Sequence, residues 1–268
     1  MTNTQGKREW ALILGASSGF GAAAALELAR NGVSIFGVHL DRKSTMANVE
    51  RVTGEIEAAG AQAVFFNVNA SDAEKRAEVL DEVAKRTDGG SAGTVRVMLH
   101  SLAFGTLKPF VGEAPADEIT PAQMTMTLDV MANSLVYWTQ DVIRRGLMAE
   151  GGRIFAMTSA GGHRVWYSYG AVSAAKAALE AHCRQLGVEL VKRGITVNAI
   201  QAGVTDTPAL RKIPGNAEMI ERTLQVNPAG RLTTPEDIAR CIVDLTRPGT
   251  SWLTGNVIRL DGGEDLVG

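Results

Sequence analysis

Cysteine and histidine are scarce in this chain. Its 268 residues hold two cysteines, Cys183 and Cys241, and four histidines, and neither type clusters at metal-ligand spacing. No metal site is therefore expected, and the cysteines read as reduced, partly buried thiols of a cytosolic protein. An excess of one charge is missing too: 27 basic residues face 29 acidic ones, a net charge of −2. No strongly basic surface is there to recruit nucleic acid or anionic lipid. No apolar run approaches the roughly 18 residues that suggest a membrane span. The polar start, Met1 to Glu9, lacks the apolar core of a secretion signal. A cytoplasmic location is expected, with no membrane partner. Internal repeats and low-complexity tracts are absent as well.

What remains is an ordinary globular composition, 45% hydrophobic over 268 residues, enough for one large α/β domain with a full core. Short apolar runs recur at Trp10–Leu14, Ser34–Val38, Ala63–Asn67, Val95–Ser101, Arg153–Thr158, Thr196–Gln201 and Asn256–Leu260. Their near-continuous apolar character suits parallel strands buried on both faces. Helical patterns lie between them, among them Ala22–Arg30, Ala73–Arg86, Gln123–Met148, Ser173–Lys192 and Pro235–Leu245. Gly32 and Gly60 follow helices, where a left-handed cap is expected. The alternation predicts a single-domain, Rossmann-like α/β fold: a doubly wound parallel sheet of about seven strands flanked by helices. One segment, 204–229, breaks the rhythm with Pro208, Pro214 and Pro228. It follows the C-terminal end of a strand, where such sheets bind ligands, and reads as a substrate lid over the single domain 1–268.

The first strand runs into Gly15-Ala16-Ser17-Ser18-Gly19-Phe20-Gly21 and then a helix. Glycines there permit a tight turn and a close approach of backbone to a pyrophosphate, and the helix N-terminus offers free N–H groups. A dinucleotide coenzyme is expected on Gly15, Ser17, Ser18, Gly19, Phe20 and Gly21. The second strand ends in His39-Leu40-Asp41-Arg42-Lys43. An acid at that end holds ribose hydroxyls, whereas bases accept a 2′-phosphate. His39 stands at the last strand position, and Arg42 and Lys43 are near enough to reach a phosphate, so NADPH is favoured. Asp41 argues for NADH unless it pairs with a neighbouring base.

Over almost its whole length the chain resembles the short-chain dehydrogenase/reductase family. Asn67-Val68 matches the family's adenine contact. Ala202-Gly203-Val204-Thr205-Asp206-Thr207 is similar to its Pro-Gly-x-x-x-Thr loop, and Thr254-Gly255-Asn256 through Asp261-Gly262-Gly263 to its C-terminal signature. The resemblance implies that Gly203 and the backbone of Val204 hold the carboxamide, Thr207 the pyrophosphate, and that Ser101 and Ala103 also touch the coenzyme. Ser159 stands at the family's active-site serine, and Lys176 at the lysine that binds the nicotinamide ribose.

Three departures coincide. Tyr169 lies seven residues before Lys176, where the ordinary family spaces four and this chain has Val172. Met131 replaces the asparagine of the family's proton relay. His100-Ser101-Leu102-Ala103-Phe104 replaces Asn-Asn-Ala-Gly. All three resemble the enoyl-acyl-carrier-protein reductase branch. The glycine loop and Asn227-Pro228-Ala229-Gly230-Arg231 resemble its NADPH-using bacterial subtype.

Elementary chemistry makes sense of the shift. Seven residues are two helical turns, so Tyr169 and Lys176 share a face, with the hydroxyl displaced by about 4.5 Å along the axis. Ketone reduction puts hydride and proton on two bonded atoms. Enoyl reduction puts hydride on the β-carbon while charge develops on the thioester oxygen, farther along the conjugated path. A more distant hydroxyl suits the second. Tyr169 is thus expected to stabilise the enolate, Lys176 to fix the coenzyme, and Ser159 to position Tyr169 or the ribose. Phe104, Trp166 and Tyr167 line an acyl pocket or serve packing; His163 and Arg164 face substrate or solvent; His100 is structural or acid–base. The family further implies an acyl-carrier-protein thioester as substrate and a homotetramer joined through the two longest helices. Carbonyl (3-oxoacyl) reduction and a non-catalytic nucleotide-binding role are the alternatives.

Overall fold

Seven short apolar runs become seven parallel strands. The computed structural model describes residues 7–267, so the first six residues of the polar N-terminal start lie outside the described residues. In chain order the elements are β1 (Arg8–Leu14), α1 (Gly19–Arg30), β2 (Ser34–His39), α2 (Met46–Ala58), β3 (Ala63–Asn67), α3 (Ala73–Arg86) and β4 (Gly93–His100). Then follow α4 (Pro121–Leu128), α5 (Ser134–Arg144), β5 (Arg153–Ser159), α6 (Gly170–Leu190), β6 (Thr196–Ala202), α7 (Asn216–Val226), α8 (Pro235–Leu245), β7 (Val257–Leu260) and α9 (Glu264–Val267). The sheet order is β3-β2-β1-β4-β5-β6-β7. The strand sequence reverses between β1 and β4, the switch point where such sheets open a crevice.

Register decides what meets there. Leu14 is paired with Val38 on β2 and with His100 on β4, so Gly15, His39 and Ser101 emerge level at one edge. Ser159 pairs with Ala202, and Ala202 with Leu260, which brings the loops after β5, β6 and β7 to the same edge. The sheet is buried on both faces, by one apolar cluster around Leu12, Met98, Trp138 and Leu179 and another around Ile13, Leu28, Phe155 and Ile242. No described helix is long and apolar enough to cross a membrane.

Several boundaries follow from local chemistry. α8 begins where Thr234 and Asp237 form a reciprocal capping box ahead of Pro235. Gly32 and Gly60 take the left-handed φ of +80° and +83° that ends α1 and α2. The helix expected over Gln123–Met148 is corrected. It starts at Pro121, capped by Thr120 and Gln123, passes through a π-helical turn at Asp129–Asn133, and stops at Arg144. The apolar pattern runs on through the π turn, so its periodicity hides the extra residue. α6 starts earlier than expected, at Gly170, and closes in a 3-10 turn over Val191–Arg193. The segment 204–229 holds a 3-10 turn, Leu210–Lys212, and α7.

Candidate active site

One cavity of about 1900 Å³ opens along the switch-point edge. It is larger than the roughly 300–1,000 Å³ of a typical small-ligand pocket, and suits a dinucleotide with a second molecule beside it. Gly15, Ser17, Ser18, Gly19 and Phe20 form one end of its wall. Close approach requires two of the glycines. A Cβ on Gly15, whose φ is +89°, would lie 2.4 Å from the Ser101 carbonyl oxygen, and one on Gly21 2.0 Å from that of Gly15. Gly21 is not in the cavity wall; its bare Cα lets α1 seat against the turn. Ser18 caps α1 in extended conformation without a side-chain hydrogen bond. The first N–H groups of a twelve-residue helix thus begin at the cavity wall, with the positive end of its dipole. Thr207, also in the wall, packs 3.6 Å from where a Gly19 Cβ would stand. These groups fit a pyrophosphate.

Next to the glycine turn His39 is buried and its Nδ1 lies 2.9 Å from Asp41 Oδ2. Asp41 is thus hydrogen-bonded to its neighbour His39. Burial would raise its carboxyl, but hydrogen bonds from Thr45, Ser17 and His39 outweigh that and hold it below its ordinary value. Asn67 is outside the wall. Its side chain clamps the backbone N–H and carbonyl of Asp41, both at 3.0 Å, and ties the ends of β2 and β3 together. Val68 does line the cavity, as does Arg42. Lys43 is not in the wall, although Ser44 and Thr45 of the same 3-10 turn, Lys43–Thr45, are. Arg51 of α2 lines the cavity in its stead, steadied by Asn48 and Glu55, while Asn48 also donates to the Ser17 carbonyl.

At the reaction end Ser159, Tyr169 and Lys176 all face the same cavity. Tyr169 is the N-cap of α6, and its carbonyl accepts the helical bond from Ser173 at 2.8 Å. The two-turn relation to Lys176 thus holds from the cap. Ser168 just before it has φ of +61°, a left-handed turn that is uncommon outside glycine. Gly161 packs on the ring: a Cβ there would be 2.5 Å from Tyr169 Cε1 and 3.2 Å from Ser159 Oγ. Burial pushes the Tyr169 phenol above its ordinary value, with the Ser159 hydroxyl pulling part of the way back. That hydroxyl is buried without a closed hydrogen bond among the described residues. A phenol so placed stays protonated at neutral pH and can donate. Tyr167, on the loop rather than the helix, is 74% exposed, and Trp166 bonds the Pro214 carbonyl at 2.9 Å.

The departures at Met131 and Val172 prove to be one feature. Both side chains converge on Gly105, whose added Cβ would lie 2.9 Å from Met131 Sδ and 2.8 Å from Val172 Cγ2. A thioether and an isopropyl group, neither able to donate a proton, fill the two positions where the ordinary family keeps its asparagine and tyrosine. Lys176 is 6% exposed and donates to the Met157 carbonyl at 2.6 Å. Burial drives its ammonium down to about 8, against the pull of Glu180. His100 is locked from the other side. Its Nε2 meets Ser134 Oγ at 2.8 Å, and that hydroxyl donates onward to Val130, so the imidazole is the donor there. Burial, then the charge of Lys176, pushes His100 down to about 3. A ring kept neutral that far down does not exchange protons near pH 7.

The expected carboxamide anchor is already engaged. The Val204 N–H donates to Glu264 at 3.1 Å and its carbonyl accepts from Thr233 at 3.2 Å. Gly203 and Val204 line the cavity, as do Ser101 and Ala103. Glu264 lines it too and escaped the sequence reading, as did Arg51. Among the described residues no cluster could hold a metal.

Sheet, glycine turn and reaction end together define a nicotinamide-dependent oxidoreductase. The chain belongs to the short-chain dehydrogenase/reductase family: the family description "Enoyl-(Acyl carrier protein) reductase" matches residues 15–264. It is 29% identical over 267 residues to 1-cyclohexenylcarbonyl-CoA reductase of Streptomyces collinus, covering 98% of this chain and 89% of that one. It is 31% identical over 255 residues to a 3-oxoacyl-[acyl-carrier-protein] reductase of Synechocystis sp., covering 94% and 95%. The crystal structure of enoyl-[acyl-carrier-protein] reductase (NADH) from Aquifex aeolicus VF5 superposes with a TM-score of 0.82 at 24% identity, covering 98% of each chain, a likeness of fold.

Proposed function

We propose that this protein is an NADPH-dependent enoyl-thioester reductase acting on trans-2-enoyl groups carried by an acyl carrier protein in fatty-acid biosynthesis. One observation carries the reading. Tyr169 shares the cavity with Ser159 and Lys176, while Val172 and Met131 fill the ordinary tyrosine and asparagine positions with apolar side chains. Among the described residues, the phenol that lines the cavity therefore sits one turn back from the usual station.

A bound dihydronicotinamide would supply the hydride to the β-carbon, and the enolate so formed would take up one proton at the α-carbon to give the saturated thioester. Tyr169, kept protonated by burial, donates a hydrogen bond to the thioester oxygen as charge develops there. Lys176 adds a buried positive charge beside it. Met131, Val172 and Leu107 give the wall beside the acyl chain an apolar lining that excludes water. The Streptomyces collinus relative reduces a conjugated thioester by its name, which supports the chemistry and also admits a coenzyme A carrier. The Synechocystis relative supports the second reading, 3-oxoacyl reduction. The two separate when NADPH oxidation is measured side by side on a trans-2-enoyl thioester and its 3-oxoacyl counterpart: preference for the first supports the proposal and preference for the second overturns it.

For the coenzyme, Arg42 and Arg51 line the adenosine end while the Asp41 carboxylate is engaged by His39. Arg42→Ala is expected to weaken NADPH about tenfold or more, the loss of a charge-assisted contact to phosphate, and NADH hardly at all. Equal losses for the two coenzymes would remove the 2′-phosphate from that site.

A further inference from the structure

The C-terminal turn contributes two carboxylates that reach both loops flanking the reaction end. Asp265 has a side chain only 2% exposed. It accepts from Gln201 Nε2 at 3.0 Å, forms ion pairs with Arg164 Nε at 2.7 Å and Arg259 Nε at 3.2 Å, and contacts His163 Nε2 at 3.0 Å. Its backbone carbonyl accepts a further bond from Arg164 at 2.7 Å. One buried carboxylate thus gathers the loop after β5, strand β6 and strand β7. Glu264, the preceding residue, holds the loop after β6 through the Val204 N–H and the end of α7 through Asn227 at 3.4 Å. The turn bearing both acids is itself fixed by Asp261, whose carboxylate accepts from the backbone N–H groups of Gly263 and Asp265 at 2.9 and 3.0 Å.

These contacts matter because of what the two loops carry. His163 and Arg164 begin the loop that ends at Tyr169, whose own N–H is bonded to Trp166. Gly203 and Val204 begin the loop beside the nicotinamide end of the cavity. A conjugated substrate fixes the separation between the carbon that receives hydride and the oxygen that receives the hydrogen bond. The protein must fix the same separation between two loops that come from different strands. Displacement of about 1 Å at a reacting group costs on the order of 100-fold in rate.

We propose that Glu264 and Asp265 form a positioning brace that sets the distance between the Tyr169 loop and the nicotinamide loop. Neither acid touches the reacting atoms in this role. Asp265 orients the phenol's loop through Arg164 and His163, and Glu264 orients the Val204 loop and links it to α7. Two guanidinium groups face Asp265 together, Arg164 from the loop after β5 and Arg259 from β7, with the His163 ring beside them. The inference rests on the reading of Tyr169 as hydrogen-bond donor to the substrate.

The test uses full-length Asp265→Asn and Glu264→Gln, which keep shape and remove charge. Three readouts are compared with the unaltered enzyme: kcat and KM on the enoyl thioester, NADPH affinity by coenzyme fluorescence, and amide hydrogen exchange along the chain. Asp265→Asn is expected to lower kcat by about 10–100-fold, with KM and NADPH affinity nearly unchanged. Exchange should rise in 160–169 and stay at its original level in β1 and α1. Glu264→Gln should raise exchange in 203–207 and at the end of α7. Exchange rising throughout the chain would assign these acids to general stability and overturn the brace; so would unchanged kcat with unchanged exchange. If the unaltered enzyme does not reduce the enoyl thioester, the functional reading falls, while local exchange still decides whether the two loops are held from the C-terminus.

Discussion

Tyr169→Phe is expected to lower turnover of an enoyl thioester by about 10²–10⁴-fold, the span of a positioned proton donor, with NADPH affinity close to its original value. The ring would stay where it is, because its packing against Gly161 does not involve the hydroxyl. The hydrogen bond to the developing oxyanion would go, together with the phenol's interaction with the Ser159 hydroxyl. The rate is measured at saturating coenzyme and the affinity by fluorescence titration. Undiminished turnover would remove the phenol from the mechanism. Tyr167→Phe, on an exposed side chain, makes the comparison and should change the rate little.

Lys176→Met is expected to cost on the order of 10²–10³ in rate, the effect of deleting a preorganised electrostatic group. Unlike Tyr169→Phe, it should weaken coenzyme binding as well. The pH profile carries the sharper sign. Burial holds the ammonium at about 8, so Lys176 is charged below that pH and neutral above it. If the charge contributes, kcat/KM of the unaltered enzyme falls as pH rises through about 8, because that ratio reports groups of the free enzyme. Lys176→Met should lack this limb. A profile level up to the ordinary lysine pKa of roughly 10.4 would contradict the role. His100 should leave no trace between those values, since it is already neutral.

The fold was legible because its central strands are buried on both faces and so read as apolar runs. α8 was read to the residue, since Thr234, Pro235 and Asp237 spell out its cap in four consecutive positions. The helix around Met131 was misread for the opposite reason. A π turn inserts a residue without interrupting the apolar stripe, and nothing local in the sequence betrays it. At the adenosine end Arg42 lines the cavity as expected, and Arg51, within α2, joins it although the local sequence pattern gives no sign of that.

The reaction end was partly readable. Ser159, Tyr169 and Lys176 lie within 18 positions, and helical spacing together with family likeness was enough to place them in one cavity. The contacts of Glu264 with Val204 and of Asp265 with His163 span 60 and 102 residues of chain and leave no periodic signature. The convergence of Met131 and Val172 on Gly105 also needed coordinates. Each was visible beforehand as a departure from the family pattern, but not that they fill one space.

The most direct measurement follows the hydride itself. NADPH carrying deuterium at the transferring position is turned over with a mixture of trans-2-enoyl and 3-oxoacyl thioesters. Deuterium on the β-carbon of a saturated thioester, with the 3-oxoacyl compound left behind, is the expected result. Deuterium on the carbinol carbon of a 3-hydroxyacyl thioester as the main product would contradict it.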